Sequence, residues 1–316
     1  MFIVYSSCKG INKIAIFMYV DLSELSDGFS SKFRVISFFL AIIKLNKLKK
    51  KLYIYEKKTK ECPYLFTDLC LIKNFKIIKL KKKPMDSVIF NPYNYNTALQ
   101  KLKKKNFINY KKNNKFNQIA NLVYKSFIPS KVIQKNIDKL NLPANFISIH
   151  IRSTDREVSI KNCLSKIQFQ EMIFDFQIEN MIKNLNNFIK SKSKINNVFI
   201  SSDNKYYKEK IIKKLKDKIN IFSNNSSYRI KSFRQTTGKD FITELFCLSK
   251  SKIIISTLGG AVPNSACLIS KKKIKLYKWS NIFDFYIFFK ILIIFIYFLK
   301  RIKSLLFNKR FISIFI

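Results

Sequence analysis

Arginine is the scarce cation in this chain. Among 61 Lys and Arg residues it occurs only as Arg34, Arg152, Arg156, Arg229, Arg234, Arg301 and Arg310, and five of these precede the Lys-dense C-terminal tail. A planar, permanently charged guanidinium grips a phosphate through two parallel hydrogen bonds, which a lysine cannot imitate. Arg152 follows the alternating run Phe146–Ile151, with Asp155 and Arg156 close behind. At that place Arg152 would neutralise a departing diphosphate, and Asp155 would orient the arginine or a sugar hydroxyl. The alternative for this segment is a surface salt-bridge loop. Two further places have residue types suited to the same chemistry. Asp203 follows Val198–Ser202, where a carboxylate either accepts hydrogen bonds from a base or ribose or caps the next helix. The segment from Thr243 and Glu244 to Ser249 leads to Thr257, Gly259 and Gly260, small residues that let backbone N–H groups approach phosphate or that simply make a tight turn.

Other chemistries find no support in the residues. Thr237-Gly238-Lys239-Asp240 hints at a P-loop, but Phe233 stands where the first glycine belongs and Asp240 where a hydroxyl residue is needed. There is no DxD to hold a divalent metal against a diphosphate and no GxSxG serine elbow. One histidine, His150, and six cysteines without a CxxC pair make no zinc-type cluster. No metal site and no cofactor is expected.

These candidates need a scaffold that brings them to one edge. Ile14–Val20 reads as a strand, Asp21–Gly28 as a polar loop, Ser31–Asn46 as a helix and Lys51–Tyr55 as a second strand, the opening of a parallel α/β sheet. From about residue 57 to 145 the Lys-rich text has no clear period and reads as the rest of a first lobe with a basic connection. Then the alternation returns. Phe146–Ile151, Asn197–Ser201, Ile219–Phe222, Lys252–Ser256 and Lys273–Tyr277 read as strands; Leu164–Lys190, Lys205–Lys216, Phe241–Ser249 and Ala261–Ser270 read as helices. That βα repeat predicts a Rossmann-like sheet, whose ligands bind beyond the carboxyl ends of its strands.

Composition sets the outer limits. At 316 residues with 47% hydrophobic content the chain is folded, long enough for two lobes. A formal net charge of +42 suggests an anionic partner, yet the excess is nearly all Lys amid abundant Asn, Ile, Phe and Tyr, as an AT-biased coding sequence would produce. No RNP-like or zinc-finger pattern accompanies it, so no specific nucleic acid is expected. Reduced thiols and the lack of a signal-peptide pattern at the start suggest the cytoplasm. In the tail, Phe285–Leu299 as a helix would cover roughly 22 Å against a hydrocarbon core of about 30 Å, with Lys290 inside it. The tail therefore reads as a peripheral anchor whose basic flank meets an anionic membrane surface at the inner face, or as a last helix packed across the lobes.

In order and spacing these segments resemble the GT-B fucosyltransferase superfamily, which includes the nodulation-type and core α-1,6-fucosyltransferases, the protein O-fucosyltransferases and the bacterial α-1,2 enzymes. The resemblance spans most of residues 14–280. His150-Ile151-Arg152-Ser153-Thr154-Asp155 is similar to the family's HxRRxD element, with Ser153 at the second arginine. Ser202-Asp203-Asn204 resembles its SDD segment, and Glu244 to Thr257 its DLxLLSxCxxxIxTxSS segment, with Glu244 for Asp. Asp27 to Arg34 resembles the glycine-rich front loop; Gly28 and Arg34 match, while Ser30 and Ser31 replace a glycine and an asparagine.

The resemblance implies a GT-B-like α/β fold of two Rossmann-like lobes with parallel sheets and a C-terminal apolar basic helix. Residues 1–140 would form an acceptor-side lobe, 141–281 a nucleotide-sugar lobe and 282–316 the tail. It implies a metal-independent, inverting transferase with Arg152 and Asp155 catalytic. Gly28, Arg34, His150, Arg152, Asp203, Glu244, Thr257, Gly259 and Gly260 would bind the donor. That donor would be a nucleotide sugar, GDP-fucose foremost, and the acceptor a glycan or lipid-linked glycan, in an assembly such as envelope or capsular polysaccharide. His150 is either a group that meets the substrate or one turned into the sheet. The other reading is a non-catalytic, membrane-peripheral binder of anionic polymer or lipid on a decayed transferase fold.

Overall fold

A computed structural model describes residues 19–23, 29–45, 47, 50–58, 63–82, 115–152, 178, 181–182, 184–185, 187–191, 195–215, 219–226, 228, 236–257, 261–278, 295 and 298–299. Three sheets organise them.

The first is parallel throughout, in the order β1 (Tyr19–Asp21), β2 (Lys51–Tyr55), β4 (Lys76–Lys79). Between β1 and β2 runs α1 (Phe29–Leu45). It is apolar around most of its circumference, and Val35 to Ile43 are all buried. A helix of that kind belongs inside a protein, between two packed layers. The described part of the first strand begins at Tyr19 and reaches Asp21, one residue beyond the sequence expectation; Asp21 is thus the buried end of a strand instead of the start of a loop.

The stretch without sequence period contains short pieces. After α2 (Phe66–Leu69), β3 (Cys70–Ile72) pairs antiparallel with β5 (Phe127–Pro129) as a separate two-stranded sheet. Glu56, beyond the carboxyl end of β2, caps α2 by accepting from the backbone N–H groups of Phe66 and Thr67 and from the Thr67 hydroxyl. Helix α3 (Lys115–Val123) packs on α1, and α4 (Lys131–Asp138), capped by Ser130, leads into the main sheet. The Lys-rich run Lys101–Lys105 and the turn at Asn91–Asn94 lie outside the described residues.

The main sheet has five parallel strands: β6 (Ile147–Ile151), β7 (Asn197–Ser202), β8 (Asn220–Ser223), β9 (Ile253–Ser256) and β10 (Lys275–Lys278). Their order is β10-β9-β6-β7-β8. Counting along the chain, that is the 3-2-1-4-5 order of a doubly wound sheet. Helix α5 (Lys205–Leu215) joins β7 to β8, α6 (Gly238–Leu248) joins β8 to β9, and α7 (Ala261–Ile269) joins β9 to β10. The predicted helix over Leu164–Lys190 is described in part, with residues 187–191 helical.

Each face of this sheet has its own core. Ile147, Ile149, Ile151, Val198, Ile200, Ile253 and Ile255 meet Ile211 and Leu215 of α5 and the helical residues Met181 and Leu185. On the opposite face Phe146, Phe199 and Ile254 join a cluster shared with α6, α7 and α1. The hydrophobic core is therefore continuous from the first sheet to the main sheet, through α1. Most of the tail lies outside the described residues. No described helix is long and apolar enough to cross a membrane.

Candidate active site at the carboxyl edge

In the main sheet the chain winds from β6 outward through β7 to β8, then returns to the far side of β6 for β9 and β10. Sheets of this kind bind ligands beyond the carboxyl ends of the strands where the winding reverses, which here is between β6 and β9. Arg152 and Thr257 are the residues that follow those two strands. The Arg152 backbone N–H donates to Thr257 Oγ1 at 3.3 Å, and Thr257 N–H donates to the His150 carbonyl at 3.2 Å. On the other flank Asp203 N–H donates to the Ile151 carbonyl at 3.3 Å. Parallel strands lie about 4.8 Å apart. Arg152, Asp203 and Thr257 thus stand side by side on one edge, with Arg152 and Asp203 partly exposed and Thr257 buried.

A polar row lies one residue below. His150 is in register with Ser201 on β7 and with Ser256 on β9, so the three side chains share the face that α6 and α7 cover. His150 is only 5% exposed. Burial, reinforced by the positive charge of Arg152, drives its pKa down to about 3, so the imidazole is neutral at physiological pH. Its Nδ1 finds no hydrogen-bond partner among the described residues. Of the two orientations left open by the sequence, the structure has the one turned into the sheet.

Glu244, on α6, reaches the same row from beneath. Its Oε2 accepts from Ser201 Oγ at 2.8 Å, and its Oε1 accepts from Ser226 Oγ at 2.9 Å and from Lys208 Nζ at 3.3 Å. Burial pushes its pKa up, and Lys208 with the two hydroxyls pulls it back. Both oxygens are thus taken up by protein groups, so Glu244 supports the edge from below. The Lys208 ammonium also donates to the Asn224 carbonyl at 2.5 Å and to Ser226 Oγ at 3.4 Å. Tyr228 donates its hydroxyl proton to the Ser202 carbonyl at 3.1 Å, next to Asp203.

Arg34 sits on α1 and is partly exposed. It lies near the buried hydroxyl of Tyr124, whose pKa burial raises while the Ser265 hydroxyl and the Arg34 charge oppose the rise. Since Ser265 belongs to α7, Arg34 is on the surface of α1 that faces the helix following β9. Gly28, Asp155, Gly259 and Gly260 lie outside the described residues. The structure therefore brings together Arg152, Asp203, Thr257 and His150 at one edge, with Glu244 below them. Sequence reasoning passed over Lys208, Ser201, Asn224, Ser226 and Tyr228. A signal for Lys208 existed: with Ile211 and Leu215 it falls on the apolar stripe of α5, where a solvated lysine does not belong.

Among the described residues no group of three or more His, Cys, Asp and Glu side chains could hold a metal ion. No protein-family model and no curated protein matches the chain. Solved structures do. An α-1,6-fucosyltransferase, NodZ, soaked with GDP-fucose superposes with a TM-score of 0.51 at 11% identity, over 81% of this chain and 94% of that one. POFUT1 in complex with GDP-fucose gives a TM-score of 0.50 at 11% identity, over 82% and 97%. At such identity the likeness is one of fold, and it matches the expectation from the sequence: the chain has the Rossmann-like α/β, GT-B-type fold of the NodZ and POFUT1 fucosyltransferases.

Proposed function

We propose that this protein is a glycosyltransferase that moves a sugar from a nucleoside diphosphate donor, GDP-fucose foremost, to a hydroxyl of a glycan or lipid-linked glycan. The observation that carries the reading is the position of Arg152, a scarce arginine at the carboxyl edge where the main sheet reverses its winding. The two compared structures were solved with GDP-fucose, which supports that donor. Residues 141–281 then bind the donor, residues 1–140 form the acceptor side, and 282–316 serve as a peripheral tail.

In the reaction the acceptor oxygen attacks the anomeric carbon from the face opposite the diphosphate, with inversion. The bond from that carbon to the diphosphate oxygen breaks, and the electron pair leaves with the diphosphate. Arg152 meets the developing charge with its fork of N–H donors, so no metal is needed for that task. Asp203 accepts from hydroxyls of the ribose or groups of the base. Asp155 orients Arg152 or the sugar. His150, neutral and a poor proton acceptor, supports Arg152 from below and leaves the acceptor's proton to another group.

Titrating the protein with GDP-, UDP- and dTDP-sugars by calorimetry, with and without EDTA, names the donor. Arg152→Lys should lower kcat/KM by about 100-fold or more while shifting the thermal midpoint by no more than about 2 °C. Activity within a few-fold of wild type would remove Arg152 from the mechanism. Absence of any nucleotide binding would leave the non-catalytic binder as the better reading.

A further inference from the structure

Lysine is abundant on this chain, yet among the described residues only Lys32 and Lys208 are buried, and each faces a glutamate. Lys32 sits 3.9 Å from Glu56 in the first sheet's layer, whereas Lys208 lies directly under the candidate site. A buried ammonium is costly unless its donors are used and its charge is met. For Lys208 all three N–H donors have acceptors: the Asn224 carbonyl, Ser226 Oγ and Glu244 Oε1. The pair with Glu244 measures 3.3 Å, with both side chains 6% exposed.

Together with the Ser201–Glu244 bond, these bonds join α5, α6, β7 and the segment that follows β8. That segment is described at Asn224–Ser226 and at Tyr228, and it is fastened at both places. Its near end is held by Lys208 and by Asp240 on α6, whose Oδ1 accepts from Asn224 Nδ2 at 3.0 Å. Its far end is held where Tyr228 donates to the carbonyl of Ser202, the residue before Asp203. The Lys208 ammonium also lies 5.8 Å from the centre of the Tyr228 ring.

We propose that Lys208 is a positioning residue for the nucleotide site, holding Asn224, Ser226 and Tyr228 against the carboxyl end of β7 and, through Glu244 and Ser201, supporting the strand edge that presents Asp203 and Arg152. The proposal rests on the nucleotide-sugar reading. Lys208 itself touches no substrate. Without its ammonium, Glu244 is a buried carboxylate facing only hydroxyls and takes up a proton, and Asn224 and Ser226 lose the group that draws them inward. The Asp203 side of the site then loosens.

The test uses the full chain, GDP as probe, and two substitutions on one helix. Lys208→Met keeps the length of the side chain and removes the charge; Leu215→Ala truncates a buried residue at the far end of α5 and serves as the stability control. Lys208→Met should weaken GDP binding about tenfold or more and speed hydrogen exchange at the backbone of Asn224–Tyr228, while Leu215→Ala keeps GDP affinity within about twofold. Exchange in that segment should stay at the wild-type rate in Leu215→Ala. GDP binding by Lys208→Met at wild-type strength would overturn the proposal, as would an equal loss in Leu215→Ala. If the wild-type protein binds no nucleoside diphosphate, the nucleotide-sugar reading fails and the role at a nucleotide site fails with it; the exchange rates then still decide whether Lys208 holds the segment.

Discussion

His150 is neutral at physiological pH because it is buried beside a cation, and this ties stability to pH with a definite sign. Its pKa falls from the usual 6.5 to about 3 in the folded protein, so between those values the unfolded chain binds more protons than the folded one. The contribution is fully present above pH 6.5 and is lost as pH falls toward 3. Between pH 7 and pH 5 the loss amounts to about 2 kcal/mol. It is the only histidine in the chain, which makes the assignment direct. Glu244 acts in the opposite sense, because burial raises its pKa and its contribution fades as pH rises. His150→Gln should therefore abolish the loss of stability from pH 7 to pH 5, or reverse it, in urea unfolding at the two pH values; an unchanged slope would mean that the imidazole is not held neutral. The sequence could present His150 next to Arg152 but could not say which way it points. Both faces of a parallel strand are buried, so alternation carries no inside-or-outside signal there. For Arg152, Asp203 and Thr257 the rule that sites lie beyond strand ends was enough to find the edge. Lys208 stayed hidden among surface lysines because its partners lie on other elements.

At the scale of elements, the first turns of α1 and α6 meet. Phe29 opens α1 and is stacked with Phe66 and Phe241 at 6.3 and 6.0 Å between ring centres. Gly238 opens α6 directly against this ring: a Cβ there would lie 2.2 Å from Phe29 Cε2. Held between two other rings, Phe29 cannot swing aside freely. Gly238→Ala should therefore destabilise the protein by about 1–3 kcal/mol, even though alanine is the better helix former. Phe29→Leu in the same chain should restore part of that loss, and additive effects in denaturant unfolding would show that the two residues do not meet. In the sequence Gly238 reads as part of a failed P-loop, since nothing local discloses a partner so far along the chain. Where Ile-rich runs alternate with helical stripes, as from β6 to β10, the fully described elements were legible to within three residues, the widest gap being the start of α6 at Gly238 instead of Phe241. The stretch that builds α2, β3, β4 and β5 was not, because three- and four-residue pieces span too few positions for a period to emerge.

For the molecule as a whole, a formal net charge of +42 gives any anionic surface a long-range attraction, screened beyond about 10 Å at 0.1 M salt. Attraction alone does not hold a protein at a bilayer; an apolar contact must be added. The tail supplies the residue types. Phe295, Phe298 and Leu299 are helical and 55, 58 and 48% exposed, and Lys300, Arg301 and Lys303 follow them in sequence. Spacing of three and four places Phe295 on one side of a helix with Phe298 and Leu299. Large apolar side chains beside a run of cations are the residue types that the peripheral tail proposed above requires. Deleting residues 283–316 should thus leave the thermal midpoint of the rest within about 2 °C, since none of these three side chains adds to the described cores. The same deletion should abolish sedimentation with vesicles containing phosphatidylserine at moderate salt, while neutral vesicles bind neither form strongly. A truncated protein that aggregates or melts early would instead place the tail within the fold, and one that still sediments with anionic vesicles would assign the attraction to the lysine-rich surface alone.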